Sequence, residues 1–182
     1  MSQYKLIFTG PTGAGKTTAI ATLSEIPVVM TEAKSSYRNP RHEHKETITV
    51  GLDYGLVKLK NNDKIHLYGT PGQERFDFMW EILTEGGLGL ILLIDNTRVA
   101  PLEDLQFFLK AFDDFIKETS VAIGVTRMDL SHKPALADYH RELRALGINP
   151  PIFDVDARSK KDVSLLLQAL LYSLDPNLKV ER

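Results

Sequence analysis

The chain has 182 residues, 43% of them hydrophobic, and a formal net charge of −2, so it is long enough for one domain with a substantial core. The near-neutral charge gives no electrostatic argument for binding nucleic acid or an anionic membrane. The sequence has no cysteine, which excludes disulfides, thiolate chemistry and a prenyl or palmitoyl lipid anchor on these residues. We expect a single domain over 1–182 located in the cytoplasm, because the longest apolar run, 88–94, is too short to cross a bilayer and the first strand leaves no room for a signal peptide.

A glycine-rich motif lies between a strand pattern at 4–9 and a helix pattern that begins at residue 16. From Gly10 to Thr17 it fits G-x-x-x-x-G-K-S/T, the phosphate-binding P-loop. Glycines let the backbone approach phosphate oxygens, and the helix N-terminus adds free N–H groups and a positive dipole end. Lys16 is expected to reach the β- and γ-phosphates, and the Thr17 hydroxyl to ligate Mg²⁺. The predicted nucleotide-binding residues here are Gly10, Thr12, Gly13, Ala14, Gly15, Lys16, Thr17 and Thr18.

Strand and helix patterns alternate along the rest of the chain, which predicts an α/β fold with a largely parallel sheet. The continuously apolar segments 88–94 and 121–125 are typical of central strands covered on both faces, and 151–155 is a shorter candidate. Two less apolar segments, 49–60 and 64–68, flank a polar turn and predict an antiparallel hairpin.

Three later segments have helical periodicity, at 101–117, at 134–146 and in the apolar stripe from 163 to 174. Gly147 is expected to cap the second of these helices, and Ser159 with Asp162 resembles a capping box for the third. The polar segment 31–45 has no clear period and is predicted to be a long loop. Its arginine and histidine residues could suggest a metal or nucleic acid, but a solvated loop is the favoured interpretation.

A second motif follows the strand at 64–68 and contains Pro-Gly-Gln-Glu-Arg-Phe from residue 71 to residue 76. With the P-loop, it resembles the Ras-like small GTPases, whose third motif is D-x-x-G-Q-E. The resemblance implies a three-layer P-loop NTPase fold, the Ras-like G domain, with a mostly parallel six-stranded sheet and helices on both faces. It also implies that Gly72 contacts the γ-phosphate and that Gln73 orients the attacking water, with Lys16 as the second catalytic residue.

The chain departs from this family at Gly69, where the family has an aspartate that holds Mg²⁺ through a water. A Tyr-x-x-Pro-Gly-Gln string without that aspartate is similar to the bacterial MglA-type and conservon-type GTPases. Either metal affinity is reduced or another carboxylate substitutes; Asp53, on the neighbouring strand, is the candidate, although an ordinary aspartate at a strand edge is the favoured interpretation.

The segment 47–55 is similar to the Rab-type T-I-G-V-D-F switch segment. In that alignment Thr49 is the switch threonine, ordered by the γ-phosphate and Mg²⁺ and therefore a second metal ligand beside Thr17. Thr47 is the alternative, and a plain β-branched strand residue is an equal alternative for Thr49.

Base recognition is expected after the strand at 121–125. The segment from Thr126 to Asp129 resembles the guanine-specific N-K-x-D motif, in which Asp129 accepts hydrogen bonds from guanine N1–H and the exocyclic amine. Arg127 would pack its stem along the base, whereas Thr126 lacks the amide of the family's asparagine, so a weaker contact between loops is expected. The segment 154–158 is similar to a degenerate E-x-S-A-K loop, with the Ala157 N–H facing guanine O6 and Arg158 in the last position.

The resemblance as a whole implies a bacterial, GTP-dependent switch that binds GTP, GDP and Mg²⁺ and engages a protein effector or activator. MglA-like relatives use roadblock-type partners, whereas nucleic acid and a direct lipid anchor are not expected. Thr12, where many relatives have glycine, and Gly69 together predict slow hydrolysis. Trp80, at helical spacing with other apolar residues after Gln73, is expected to be partly in the core, whereas an exposed Trp80 would be an anchor for the partner. The alternatives are a GTP-binding scaffold with little or no hydrolysis and a P-loop ATPase or kinase.

Overall fold

The computed structural model describes residues 2–38, 45–59, 62–72 and 78–174, without the side chains of 31–38, 45–50 and 78. Within these ranges seven strands and six helices follow one another along the chain. The strands are β1 (Gln3–Thr9), β2 (Val29–Arg38), β3 (Lys45–Lys58), β4 (Lys64–Gly69), β5 (Gly89–Asp95), β6 (Val121–Thr126) and β7 (Ile152–Asp154). The helices are α1 (Lys16–Leu23), α2 (Phe78–Thr84), α3 (Pro101–Ala111), α4 (Asp113–Glu118), α5 (Leu136–Ala145) and α6 (Lys160–Leu174).

The strands form one sheet in the order β2-β3-β4-β1-β5-β6-β7. β1 pairs in parallel with β4 and β5, and β6 pairs in parallel with β5 and β7. β3 runs antiparallel to both β2 and β4, so the predicted hairpin is present as β3 and β4. The strand order reverses at β1, and in sheets of this kind ligands bind outside the carboxyl ends of the strands at that position.

The seventh strand is a difference from the six strands expected from sequence. β2 occupies Val29–Arg38, most of it inside the segment that was predicted to be a loop. It is a strand because it pairs with β3 along its whole length, from Val29 opposite Tyr54 to Arg38 opposite Lys45. That pairing is a non-local contact, which neither polar composition nor a missing period can indicate. The remainder of the predicted loop, 39–44, lies outside the described residues.

Helices cover both faces of the sheet and separate two hydrophobic cores. In β5, Ile91 and Leu93 face the core that contains α1 and α6, while Leu90, Leu92 and Ile94 face the core that contains α2, α3 and α5. All five side chains are fully buried, as predicted for a central strand of a parallel sheet. The α/β class and the layered arrangement expected from sequence are therefore confirmed.

The aromatic residues of the second core bear on two predictions. The helix expected at 101–117 is interrupted at Phe112, whose backbone (φ −107°, ψ 16°) separates α3 from α4. The Phe112 ring stacks on Trp80 with 5.1 Å between centroids. Trp80 is only 4% exposed, so it belongs to the core, as expected, and does not form the exposed anchor that was the other possibility. No helix in the described ranges combines the length and apolar character needed to cross a membrane.

Candidate functional site

The P-loop connects the carboxyl end of β1 to the first turn of α1, as the motif predicts. Gly10 passes so close to β5 that a Cβ on it would lie 2.0 Å from the carbonyl oxygen of Leu93. Its φ of 135° is also a conformation that L-residues rarely adopt, so only glycine fits here. Gly15 is the left-handed N-cap of α1, so the helix begins at Lys16 with its free N–H groups towards the loop.

The Lys16 ammonium is buried within the loop that is expected to bind phosphate. It donates to the carbonyl oxygens of Gly10 and Pro11, each at 2.8 Å. Burial lowers the pKa of Lys16 to about 8; the nearby Asp53 carboxylate acts in the opposite direction, and Arg98 adds a further lowering. Lys16 therefore lies at the loop, and the charged form of its ammonium group is only partly stabilised by its surroundings.

Gly72, predicted to contact the γ-phosphate, lies directly against the P-loop. A Cβ on Gly72 would be 2.5 Å from the Thr12 nitrogen and 2.7 Å from the Lys16 Nζ. The carbonyl oxygen of the preceding Pro71 accepts a hydrogen bond from the Trp80 indole at 3.3 Å. The structure thus brings Pro71 and Gly72, the described start of the motif at 71–76, onto the P-loop. Gln73 itself lies outside the described residues.

Asp53 lies beside Thr17. The Thr17 hydroxyl donates to Asp53 Oδ2, although the two residues are 36 positions apart. Asp53 pairs with Gly69 across the β3–β4 ladder, and a Cβ on Gly69 would be 3.1 Å from the Asp53 Cβ and 3.2 Å from its Oδ2. Glycine at position 69 therefore leaves the space that the Asp53 side chain occupies, and an aspartate at 69 would crowd it.

These two oxygens fit Mg²⁺, the cofactor expected from sequence. Mg²⁺ prefers hard oxygen ligands and is usually held by one or two carboxylates together with substrate phosphates. Thr17 and Asp53 supply one hydroxyl and one carboxylate at the P-loop. Among the described residues no group of three or more histidine, aspartate or glutamate side chains could hold a metal by itself.

The two candidate switch threonines lie in β3 and not at the P-loop. Thr49 pairs with Lys34 and Thr47 with Ser36. Thr49 precedes Asp53 by four residues, which is about 13 Å of strand. In this conformation Asp53, rather than Thr49, is the β3 residue beside Thr17, so a metal-ligand role for Thr49 would require β3 to move.

A cavity of about 230 Å³ lies beside the P-loop at the carboxyl ends of β6 and β7. Eight of the predicted nucleotide-binding residues line it: Ala14, Gly15, Thr18, Thr126, Arg127, Asp129, Ala157 and Arg158. The P-loop and the last motif meet closely here, since a Cβ on Gly15 would be 3.0 Å from the Ala157 Cβ. The P-loop and two motifs that lie more than a hundred residues further along the chain therefore form one concave site.

Thr126 preserves the contact between loops that was expected to be weak. Its hydroxyl lies 3.1 Å from the Ala14 carbonyl oxygen and 3.2 Å from that of Ile94, and it can donate its proton to either. A second link runs from the Thr22 hydroxyl in α1 to the Ala157 carbonyl oxygen at 2.8 Å. A short hydroxyl suffices here because Thr126 is buried directly behind the P-loop.

Asp129 is exposed, and no hydrogen bond or ion pair to its carboxylate occurs within the described part of the chain. Asp154 lies nearby, and burial, with smaller contributions from Asp129 and Asp162, raises the pKa of its carboxyl group. Arg158 is held by Asp156, whose two oxygens each accept a guanidinium hydrogen bond at 2.9 Å. The carboxylate of Asp129 is thus available to a ligand in the cavity.

Sequence analysis missed two residues that support this site, Asp95 and Asn96. Asp95 accepts a hydrogen bond from the Arg127 guanidinium. Asn96 donates to the carbonyl oxygens of Ser131 and Pro134 at 2.6 and 3.1 Å, and it accepts from the Tyr139 hydroxyl at 2.7 Å. The available signal was the pair of polar residues immediately after the apolar run of β5, at the edge of the sheet where ligands bind.

Comparison with known proteins identifies a family and several relatives of this chain. The family model described as "conserved hypothetical ATP binding protein" matches residues 27–172. An uncharacterised protein of Methanocaldococcus jannaschii is 31% identical over 102 residues, 56% of this chain and 57% of that protein. Ras-related protein Rab-13 of Rattus norvegicus is 30% identical over 133 residues, which are 71% of this chain and 56% of that protein. Ras-related protein RABA1h of Arabidopsis thaliana is 25% identical over 138 residues, which are 74% of this chain and 57% of that protein. The matched regions thus span slightly more than half the length of these relatives.

The fold and the P-loop define a P-loop nucleotide-binding protein. The chain belongs to the family described as conserved hypothetical ATP binding proteins. Its similarity to Ras-related proteins supports a place for it in the Ras-like P-loop superfamily.

Proposed function

We propose that this protein is a guanine-nucleotide-binding switch that hydrolyses GTP slowly and engages a protein partner through its nucleotide-dependent segments. The observation that carries the proposal is the cavity that joins the P-loop to Asp129 and Ala157. A carboxylate there can accept hydrogen bonds from guanine N1–H and the 2-amino group together, a pair of donors that adenine does not present.

Phosphate and metal would bind at the neighbouring end of the P-loop. Lys16 would exchange its two carbonyl acceptors for phosphate oxygens, and Thr17 with Asp53 would hold Mg²⁺. Mg²⁺ held there would supply positive charge that neutralises the negative charge developing on the phosphate groups. Gln73, assigned from its motif, would orient the attacking water, and Thr12 together with Gly69 is the basis for expecting slow hydrolysis.

ATP binding is the second candidate, because the description of the family names ATP. Calorimetric titration with GTP, GDP and ATP in Mg²⁺ separates the two. We expect GDP and GTP to bind at least about a hundredfold more tightly than ATP, given the cost of leaving a site's polar groups unpaired. A preference for ATP would reject the guanine assignment.

Single-turnover hydrolysis then separates a switch from a binding-only scaffold. We expect slow but measurable release of phosphate from bound GTP, on the order of 10⁻⁴ per second as for unassisted small GTPases. No release above the Lys16→Met control would favour the scaffold. The finer resemblance to MglA-type proteins suggests a roadblock-type partner, which co-purification in defined nucleotide states can test.

A further inference from the structure

Asp95 is a buried carboxylate at the carboxyl end of the central strand β5, and its two oxygens have separate partners. Oδ1 accepts hydrogen bonds from the Thr97 N–H at 2.9 Å and from the Thr97 hydroxyl at 2.6 Å. Oδ2 accepts from the Arg127 guanidinium. The side chain of Asp95 is 5% exposed, whereas that of Arg127 is 46% exposed. The pair therefore joins a rigid strand end to a residue on the rim of the base cavity.

The backbone of Arg127 is held in an unusual conformation that directs this contact. Its φ of 59° is left-handed, which costs a non-glycine residue about 1–2 kcal/mol. Its carbonyl oxygen accepts from the N–H groups of Leu130 and Ser131 at 3.1 and 3.2 Å. Because Asp95 pairs with Thr126 across the β5–β6 ladder, the turned side chain of Arg127 meets Asp95 directly.

Asp129 is a second carboxylate with which the Arg127 guanidinium could pair. Asp129 lies two residues further along the same tight turn and carries an exposed carboxylate without a partner in the described ranges. A guanidinium released by Asp95 would be attracted to that carboxylate, since bidentate arginine–carboxylate pairs are among the stronger charge-assisted contacts. The pKa of Arg158 is raised, mainly by its hydrogen bond and ion pair with Asp156 and to a smaller extent by Asp129, so Arg158 is itself held by Asp156. Both cations beside Asp129 are thus paired with other carboxylates.

We propose that Asp95 is a specificity-determining positioning residue: by holding Arg127, it keeps the Asp129 carboxylate available to the base. This inference rests on the proposed guanine binding and adds to it a residue that maintains the preference for guanine over other bases. Asp95 does not touch the nucleotide and acts only through Arg127.

The test uses Asp95→Asn and compares binding of GDP with binding of IDP, whose base lacks the 2-amino group. The asparagine oxygen can still accept from Thr97, but its amide nitrogen cannot accept from Arg127. We expect the preference for GDP over IDP to fall about tenfold, because Arg127 then occupies Asp129. The ratio of the two dissociation constants is independent of the fraction of protein that is active, so partial unfolding does not affect it.

A double-mutant cycle with Arg127→Ala isolates the mechanism. In the Arg127→Ala background, Asp95→Asn should leave the GDP-to-IDP ratio unchanged, because no guanidinium remains to compete for Asp129. Tyr139→Phe is the matched control: it removes the hydrogen bond to Asn96 in the same loop and should lower the melting temperature without changing the ratio.

Three results would overturn the inference. Equal weakening of GDP and IDP binding by Asp95→Asn would make Asp95 a structural residue only. A changed ratio in the Arg127→Ala background would show that Asp95 acts by another route. A wild-type protein without preference for guanine would reject the proposed function, and this inference with it, before any variant is measured.

Discussion

The candidate site has a base side, formed around Asp129, and a phosphate side, formed by the P-loop around Lys16. The two sides differ in how far they are preorganised for a ligand. On the base side, Thr126, Arg127 and the loop after them are fixed by hydrogen bonds, while the Asp129 carboxylate is open. On the phosphate side, Lys16 is bonded to the loop's own carbonyl oxygens and Gly72 lies against it. A preorganised region binds at little conformational cost, whereas the phosphate side must exchange internal contacts for ligand contacts. We therefore expect the base to provide most of the initial affinity.

The largest effect should follow from Asp129→Ala. Losing two hydrogen bonds to a charged acceptor should cost about 4 kcal/mol, roughly a thousandfold in GDP affinity. Asp113→Asn, an exposed aspartate remote from the cavity, serves as the control. Asp129→Asn should instead favour xanthine nucleotides, because an amide can donate to the xanthine 2-carbonyl oxygen. Unchanged GDP binding in Asp129→Ala would place base recognition elsewhere.

The next effect concerns the free energy of unfolding of nucleotide-free, metal-free protein. The pKa of Lys16 is lowered to about 8 in the folded state, from 10.5, so between these values the unfolded chain binds more protons. Stability should therefore rise with pH through this window, by about 3 kcal/mol at most. Urea unfolding at several pH values in EDTA measures this rise in the free energy of unfolding. Lys16→Met should remove the part of the rise that is due to Lys16. The same rise in Lys16→Met would show that other groups are responsible.

A smaller effect is expected at the metal-binding end of the P-loop. Asp53→Ala should weaken Mg²⁺-dependent GDP binding by about tenfold, whereas binding in EDTA should hardly change. In the Asp53→Ala background, Gly69→Asp should restore part of the affinity, because removing the Asp53 carboxylate frees the space beside position 69. Gly69→Asp alone should destabilise the fold through crowding and like charge. Equal losses with and without Mg²⁺ would argue against a metal role for Asp53.

The smallest effect belongs to the contact that holds Pro71 and Gly72 over the P-loop. Trp80→Phe keeps an aromatic ring in the core but removes the hydrogen bond to Pro71, worth about 1 kcal/mol. We expect triphosphate binding to become a few fold faster and guanosine binding to stay the same. In the wild type, the fluorescence of this single tryptophan should change with GTP and not with guanosine. A response to guanosine would show that the two sides are coupled.

Much of the fold could be predicted because its signals are local. The apolar runs of β5 and β6 identify buried strands, and Gly147, with a φ of 75° and its N–H bonded to the Arg144 carbonyl oxygen, caps α5 as expected. The Ser159 oxygen accepts from the Asp162 N–H at 3.3 Å, as the capping pattern indicates. Polar composition misled the prediction for β2, because its strand structure depends on β3.

The sequence by itself determined the P-loop, the aspartate of the base motif and the alternation of strands and helices, since each depends on residue types at short spacing. Only the tertiary structure decided which residues the carboxylates of Asp53 and Asp95 contact. The β3–β4 register sets Asp53 over Gly69 and beside Thr17, and the β5–β6 register sets Asp95 against Arg127. Strand register is fixed by contacts across the sheet, and a shift by one residue would turn each of these side chains to the opposite face.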